Sequence, residues 1–172
     1  RMNQELLKEL RELNKLFEPK KRYGMAAIEV PRSILKGWGV HQKVPHITLA
    51  YFNCLNDYQL NKIARVLQSV AAQTKPFEIK TIGQDWLGPE KDTRVVLVHP
   101  SEDIMRFRQI ICHAIESVLP DIVDKKFPEY KPHITIGKIG EINPELQTDC
   151  SFKIDTLIGG IKDEDTYKIK LS

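Results

Sequence analysis

Residues 45–49 read Pro-His-Ile-Thr-Leu, and residues 132–136 read Pro-His-Ile-Thr-Ile. Both copies are rich in β-branched and aliphatic residues, so each is expected to be a strand whose side chains alternate between two faces. Alternation sends His46 and Thr48 to one face and Ile47 and Leu49 to the other. It likewise separates His133 and Thr135 from Ile134 and Ile136. A lone His-x-Thr strand reads most simply as core with a hydrogen-bonded histidine. Two copies about half a chain apart, each introduced by proline, point instead to duplicated halves that bring both strands to one shared site.

Outward from the first copy, Met25 to Val30 is an apolar strand and Pro31 opens a short turn that Gly37 ends. Gly37-Trp38-Gly39 then leads into the motif, and the Gly-flanked indole is a candidate platform for stacking a base or, equally, a lid on the core edge. After the motif, Asn56 or Asp57 caps a helix with Leu60, Ile63, Ala64, Leu67, Val70 and Ala71 on one stripe. Strands are expected over 77–82 and 94–99, joined by a polar loop from Gln84 to Thr93 that carries Trp86. Ser101 opens a second helix, with Ile104, Phe107, Ile111, Ala114, Ile115 and Val118 as its apolar face and Pro120 marking its end. A loop over 124–132 delivers the chain to the second copy, and strands follow near 152–158 and 167–171. Ahead of all this, Leu6, Leu10, Leu13 and Phe17 have helical spacing and are expected to pack one stripe on the body.

The expected fold is therefore α+β, with two pseudo-symmetric lobes, each a mainly antiparallel sheet with helices outside, and the active-site cleft between them. Residues 1–22 form an amphipathic helix and basic loop, and residues 23–172 a single bilobal domain. With 26 basic and 23 acidic residues, a net charge of +3 suits a small anionic substrate and not a surface that coats double-stranded DNA. The three cysteines, Cys54, Cys112 and Cys150, are odd in number and lack metal spacing, which favours a reducing, cytoplasmic setting. Neither a membrane span nor a signal peptide stands out, and Arg1 before Met2 reads as a remnant ahead of the native start. With no exposed apolar stripe evident, a monomer is expected.

With these residues in place, the chain from 23 to 172 resembles the 2H phosphoesterase superfamily, which includes the bacterial RNA 2′,3′-cyclic phosphodiesterases once called 2′-5′ RNA ligases. The resemblance implies a phosphodiesterase in the cytoplasm of a cell or, for a phage protein, of its host, with a nucleotide or RNA end as substrate and no cofactor. His46 and His133 would be general acid and base, because imidazole with an ordinary pKa near 6.5 serves either role at neutral pH. Thr48 and Thr135 would donate to the phosphate oxygens. Lys138, three residues after Thr135 where the family often has a basic residue, is a further substrate-binding candidate, although strict alternation places it on the face opposite Thr135. Tyr130 is a candidate for the cleft wall, or a surface tyrosine on Pro128.

His41, in the Trp38 loop, reads as an exposed loop histidine or a substrate contact, and His99 at a strand end and His113 within a helix beside Cys112 read as structural or solvated. No carboxylate or cysteine stands at ligand spacing from the motif histidines, so no metal is expected. No Gly-x-Ser-x-Gly and no Gly-rich phosphate loop occurs. The competing readings are a nucleotide- or RNA-binding module without turnover, and a structural domain with coincidental motifs.

Overall fold

The computed structural model describes residues 3–17, 22–40, 42–53, 56–126, 129–138, 146–162 and 164–172. The elements in chain order are α1 (Gln4–Phe17), β1 (Tyr23–Glu29), a 3-10 turn (Arg32–Leu35), β2 (His46–Asn53), α2 (Asp57–Ala72), β3 (Phe77–Leu87), β4 (Thr93–Val98), α3 (Glu102–Val118), β5 (His133–Lys138), β6 (Ser151–Ile154), β7 (Thr156–Ile161) and β8 (Thr166–Lys170). Both motifs begin strands, as their composition requires.

Among the described residues, eight antiparallel strands form one sheet in the order β6-β3-β4-β5-β2-β1-β7-β8. It divides at its centre into two four-stranded halves, each holding one motif strand at the seam. β2 and β5 are paired across that seam through Ile47 and Ile134, both fully buried. Truncating either to alanine would cost about 2–5 kcal/mol. The expected pseudo-symmetric pair of antiparallel lobes is thus present, but the halves are not contiguous in sequence. β3 belongs with the second motif, and β7 and β8 return to cover the free edge of β1, where exposed strand edges invite unwanted pairing.

Two local expectations change. The loop expected over 84–93 is largely strand, because β3 continues to Leu87 and pairs through Trp86 with Arg94. Only the tight connection around Gly88, with φ +101°, remains irregular. The single strand expected near 152–158 is broken at Asp155. Ser151–Ile154 pairs with β3, whereas Thr156–Ile161 pairs with β1, so one residue separates strands lying in opposite halves. The sheet must curl for this connection to close.

The two long helices cover one face. Asn56 caps α2 through a full capping box with Gln59, and Ser101 caps α3. Ile63, Leu67, Val70 and Ala71 of α2 join Ile104, Phe107, Ile111 and Ile115 of α3 in the main core, together with Ile47, Leu49, Ile134 and Ile136 from beneath the motifs. Burying each of the Val, Leu, Ile and Phe side chains among these stabilises the fold by about 1.5–3 kcal/mol. Apart from this core lies a small cluster of Met25, Ala27 and Ile158.

The first helix departs from expectation. It forms, but Leu6, Leu10 and Leu13 are 47%, 43% and 49% exposed, so the body does not cover its apolar stripe. This is also an exposed apolar stripe of the kind whose absence suggested a monomer. No helix among the described residues is long and apolar enough to cross a membrane.

Candidate active site

The two motif strands start in the same way. His46 donates from Nδ1 to the carbonyl of Val44 at 2.7 Å, and His133 donates from Nδ1 to the carbonyl of Lys131 at 2.7 Å. A carbonyl only accepts, so Nδ1 must carry the proton in both rings and Nε2 is left to exchange one. The intervening prolines hold the geometry. Proline drives the residue before it to extended backbone, and the carbonyls of Pro45 and Pro132 accept from Val30 (3.0 Å) and Val98 (2.9 Å) at corresponding places on the neighbouring strands.

The correspondence continues past the threonines. The β1–β2 register passes from Ala27↔Thr48 to Ala26↔Ala50, which leaves Leu49 as an extra residue. The β4–β5 register passes from Val95↔Thr135 to Arg94↔Gly137, which leaves Ile136 extra. Each motif strand therefore carries a β-bulge immediately after its Thr. Bulges bend a strand and re-aim its side chains, and they concentrate beside active sites.

The Ile47↔Ile134 pair fixes how the halves meet. Extending that antiparallel register by one residue each way sets His46 across from Thr135 and Thr48 across from His133. All four are half-buried, while the residues between them are buried beneath the helices, so two imidazoles and two hydroxyls share the helix-free face.

Their neighbours within each half are not alike. Opposite His46 on β1 stands Glu29, and opposite His133 on β4 stands Leu97. Each is the position next to the Val30–Pro45 or Val98–Pro132 hydrogen bond, the type of pair whose side chains approach most closely. Glu29 accepts from the Lys168 ammonium at 2.7 Å. His133 has its pKa lowered from the ordinary histidine value, chiefly by burial. The Lys131 carbonyl partly offsets this, and the positive charge of His46 across the seam adds to it.

The remaining candidates fall elsewhere. Trp38 is only 4% exposed and belongs to the main core, so it offers no face to a base. Gly37 and Gly39, with φ of +85° and +75°, turn the chain back on either side of it and fold the indole inward. Tyr130 does not line the open face. It packs against the helix-side core, its hydroxyl donates to the carbonyl of Thr48 at 2.7 Å, and the Arg108 guanidinium lies 4.6 Å from its ring centre. The backbone of Lys138 pairs with Thr93 beyond the bulge, so strict alternation no longer governs its face; its side chain lies outside the described residues. His41 also lies outside them, and His99 and His113 are exposed. Among the described residues, no three His, Cys, Asp or Glu side chains gather as a metal site.

Sequence reasoning overlooked Glu29 and Arg108. A signal existed for each. Glu29 interrupts an otherwise apolar buried strand, and Arg108 directly follows Phe107 on the flank of the α3 stripe.

Residues 18–147 match the model of the 2′-5′ RNA ligase superfamily. The chain is 28% identical over 115 residues to an RNA 2′,3′-cyclic phosphodiesterase of Bacillus subtilis, covering 66% of this chain and 61% of that protein. It is 30% identical over 94 residues to a Geobacillus kaustophilus protein whose name assigns it provisionally to the phosphoesterases, covering 55% and 51%. The matched segment thus spans between half and two thirds of these curated relatives. The fold is similar to that of Escherichia coli LigT, crystallised with 3′-AMP, with a TM-score of 0.58 at 15% identity over 89% of this chain and 97% of LigT.

Proposed function

Because this chain belongs to the 2′-5′ RNA ligase superfamily, we propose that it is a metal-independent phosphodiesterase that hydrolyses a ribonucleotide phosphodiester with His46 and His133 as its proton-transfer pair. The observation that carries this reading is the double histidine. Two Nε2 atoms with identical Nδ1 anchors flank one seam, and each has a threonine two residues on. Binding alone has no use for two groups poised to move protons; cleaving a phosphodiester with water needs both.

The unlike neighbours favour one division of roles. His133, beside Leu97 and with its pKa lowered by burial, favours the neutral ring and takes the proton from water. That leaves His46, across from Glu29 in the β1–β2 register, to give a proton to the departing ribose oxygen. Water adds to phosphorus, the P–O bond to the leaving oxygen breaks, and one proton enters at His133 as one leaves from His46. Thr48 and Thr135 donate to the non-bridging oxygens, where negative charge grows in the transition state.

The names of the relatives support a 2′,3′-cyclic phosphate first and a 2′-5′ linkage next, and a cyclic oligonucleotide is the third candidate. The test is turnover in the presence of chelator of 2′,3′-cyclic mononucleotides, 2′-5′ oligoadenylate, cyclic-phosphate-ended RNA and cyclic di- and trinucleotides, beside the His46→Ala/His133→Ala double variant. Cleavage by wild type alone is expected. Tight nucleotide binding without cleavage would replace this reading with a binding module.

A further inference from the structure

Among the described residues, backbone hydrogen bonds from other segments fill the two ends of the seam edge of β2. Near its start Ile47 pairs with Ile134 of β5. At its far end the segment 122–124 lies alongside, with Asp124 donating to the Tyr51 carbonyl at 2.8 Å and Asn53 to the Ile122 carbonyl at 2.9 Å. Between these, past the Ile47–Ile134 pair and before 122–124 arrives, two consecutive carbonyls accept from side chains. The Tyr130 hydroxyl donates to Thr48, at 2.7 Å, and Arg108 Nε donates to Leu49, at 3.1 Å. The donors are themselves joined, with the guanidinium over the phenol ring, a contact worth more when desolvated.

The place they hold matters. Thr48 is a motif residue and Leu49 is the bulge that follows it. A bulge weakens the ladder locally, and a buried carbonyl without a donor is costly. Some donor must fix the strand there, and it comes from α3 and from the loop that delivers the second motif. Burial holds the Tyr130 phenol far above the ordinary tyrosine range, so it remains a donor at any working pH.

We propose that Arg108 and Tyr130 are positioning residues for the reaction: as one stacked unit wedged into the seam, they set where Thr48, and through the same strand His46, stand relative to His133 and Thr135. The inference rests on the phosphodiesterase reading above. It places the largest effect on the chemical step, because a displacement near 1 Å in a catalytic constellation can cost on the order of a hundredfold in rate while ground-state binding survives.

The variants are Tyr130→Phe, which removes one hydroxyl and keeps the ring, and Arg108→Lys, which keeps the charge and loses the planar Nε donor. Steady-state kcat and KM on a 2′,3′-cyclic mononucleotide are measured with melting temperature and the carbonyl ¹³C shift of Thr48. Each single variant is expected to lower kcat about tenfold with KM within roughly twofold and to move the Thr48 resonance. The double variant should fall well short of the product of the singles, because groups acting as one unit are not additive. A folded Tyr130→Phe protein with a shifted Thr48 resonance and wild-type kcat overturns the inference, as does a rise in KM alone. If Arg108→Lys fails to fold, Tyr130→Phe decides. Wild-type protein that turns over none of the panel overturns the phosphodiesterase reading and this inference together, whereas an active wild type with unaffected variants removes this inference alone.

Discussion

The first and second motif strands are built to one plan and placed in different company. Each has a proline, an Nδ1 anchor on the carbonyl two residues back, a threonine two residues on, and a bulge after it. That common plan gives the two Nε2 atoms the same local geometry. What differs is the strand on the outer side, which sets a carboxylate beside His46 and a leucine beside His133. A symmetric pair of imidazoles would divide the labour of donor and acceptor only through mutual repulsion or the asymmetry of the substrate. Duplicated backbone supplies two equivalent nitrogens, and the neighbours make them unequal.

The largest effect comes from removing either nitrogen. His46→Ala and His133→Ala should each lower kcat by about two to four orders of magnitude. Both side chains are half-buried on the helix-free face, so the melting temperature should stay within a few degrees of wild type. Loss of activity with folding intact is the measurement. A residual activity near wild type in one of the two would break the comparison outright, because only one histidine would then be moving protons.

A smaller effect tests the inequality itself. Glu29→Gln keeps the shape and removes the negative charge opposite the proposed donor. The rate should fall about three- to tenfold. Lys168, left without its 2.7 Å partner, would add a repelling charge in the same direction. Pairing Glu29→Gln with Lys168→Met separates the two, and a rate independent of Glu29 at every pH would leave His46 without its assigned distinction.

How much of this was legible in the sequence follows from the range of each signal. The motif strands, both main helices and their caps, and the choice of His46, Thr48, His133 and Thr135 rest on local patterns of two to four residues, which a sequence displays directly. The α1 stripe had the right period, yet a period says only that a helix has an apolar face and nothing of what covers it. Strand partners are set by tertiary packing, so the break at Asp155 and the return of β7 to β1 were not visible. Trp38 and Tyr130 stayed between two readings for a related reason: both are aromatic side chains in loops, and the choice between core and cleft was made by residues far away, Arg108 and Thr48 in the case of Tyr130. Lys138 was judged by strict alternation, and the bulge at Ile136 that suspends it leaves no trace in composition.

The sharpest test makes the two halves alike. Leu97→Glu gives His133 the neighbour that His46 already has, at a half-buried position on the helix-free face where a carboxylate keeps some contact with water. In wild type, His133 has its pKa lowered by burial and by the charge of His46, against the opposing Lys131 carbonyl. A base with a lowered pKa sheds its proton at lower pH, so the acidic limb of the kcat/KM profile should lie below the ordinary histidine value and activity should persist on mild acidification. A carboxylate beside the ring favours its charged form. The variant should therefore move the acidic limb upward by about half a unit to one unit, leave the alkaline limb almost unchanged, and lose activity mainly below pH 7. The limbs belong to the coupled pair and not to one ring, so direction decides the outcome. If the alkaline limb moves and the acidic limb stays, His133 is the donor and the roles are reversed. If neither moves, the outer neighbours do not distinguish the histidines, and the inequality has to arise at the seam, where Arg108 and Tyr130 hold one motif strand.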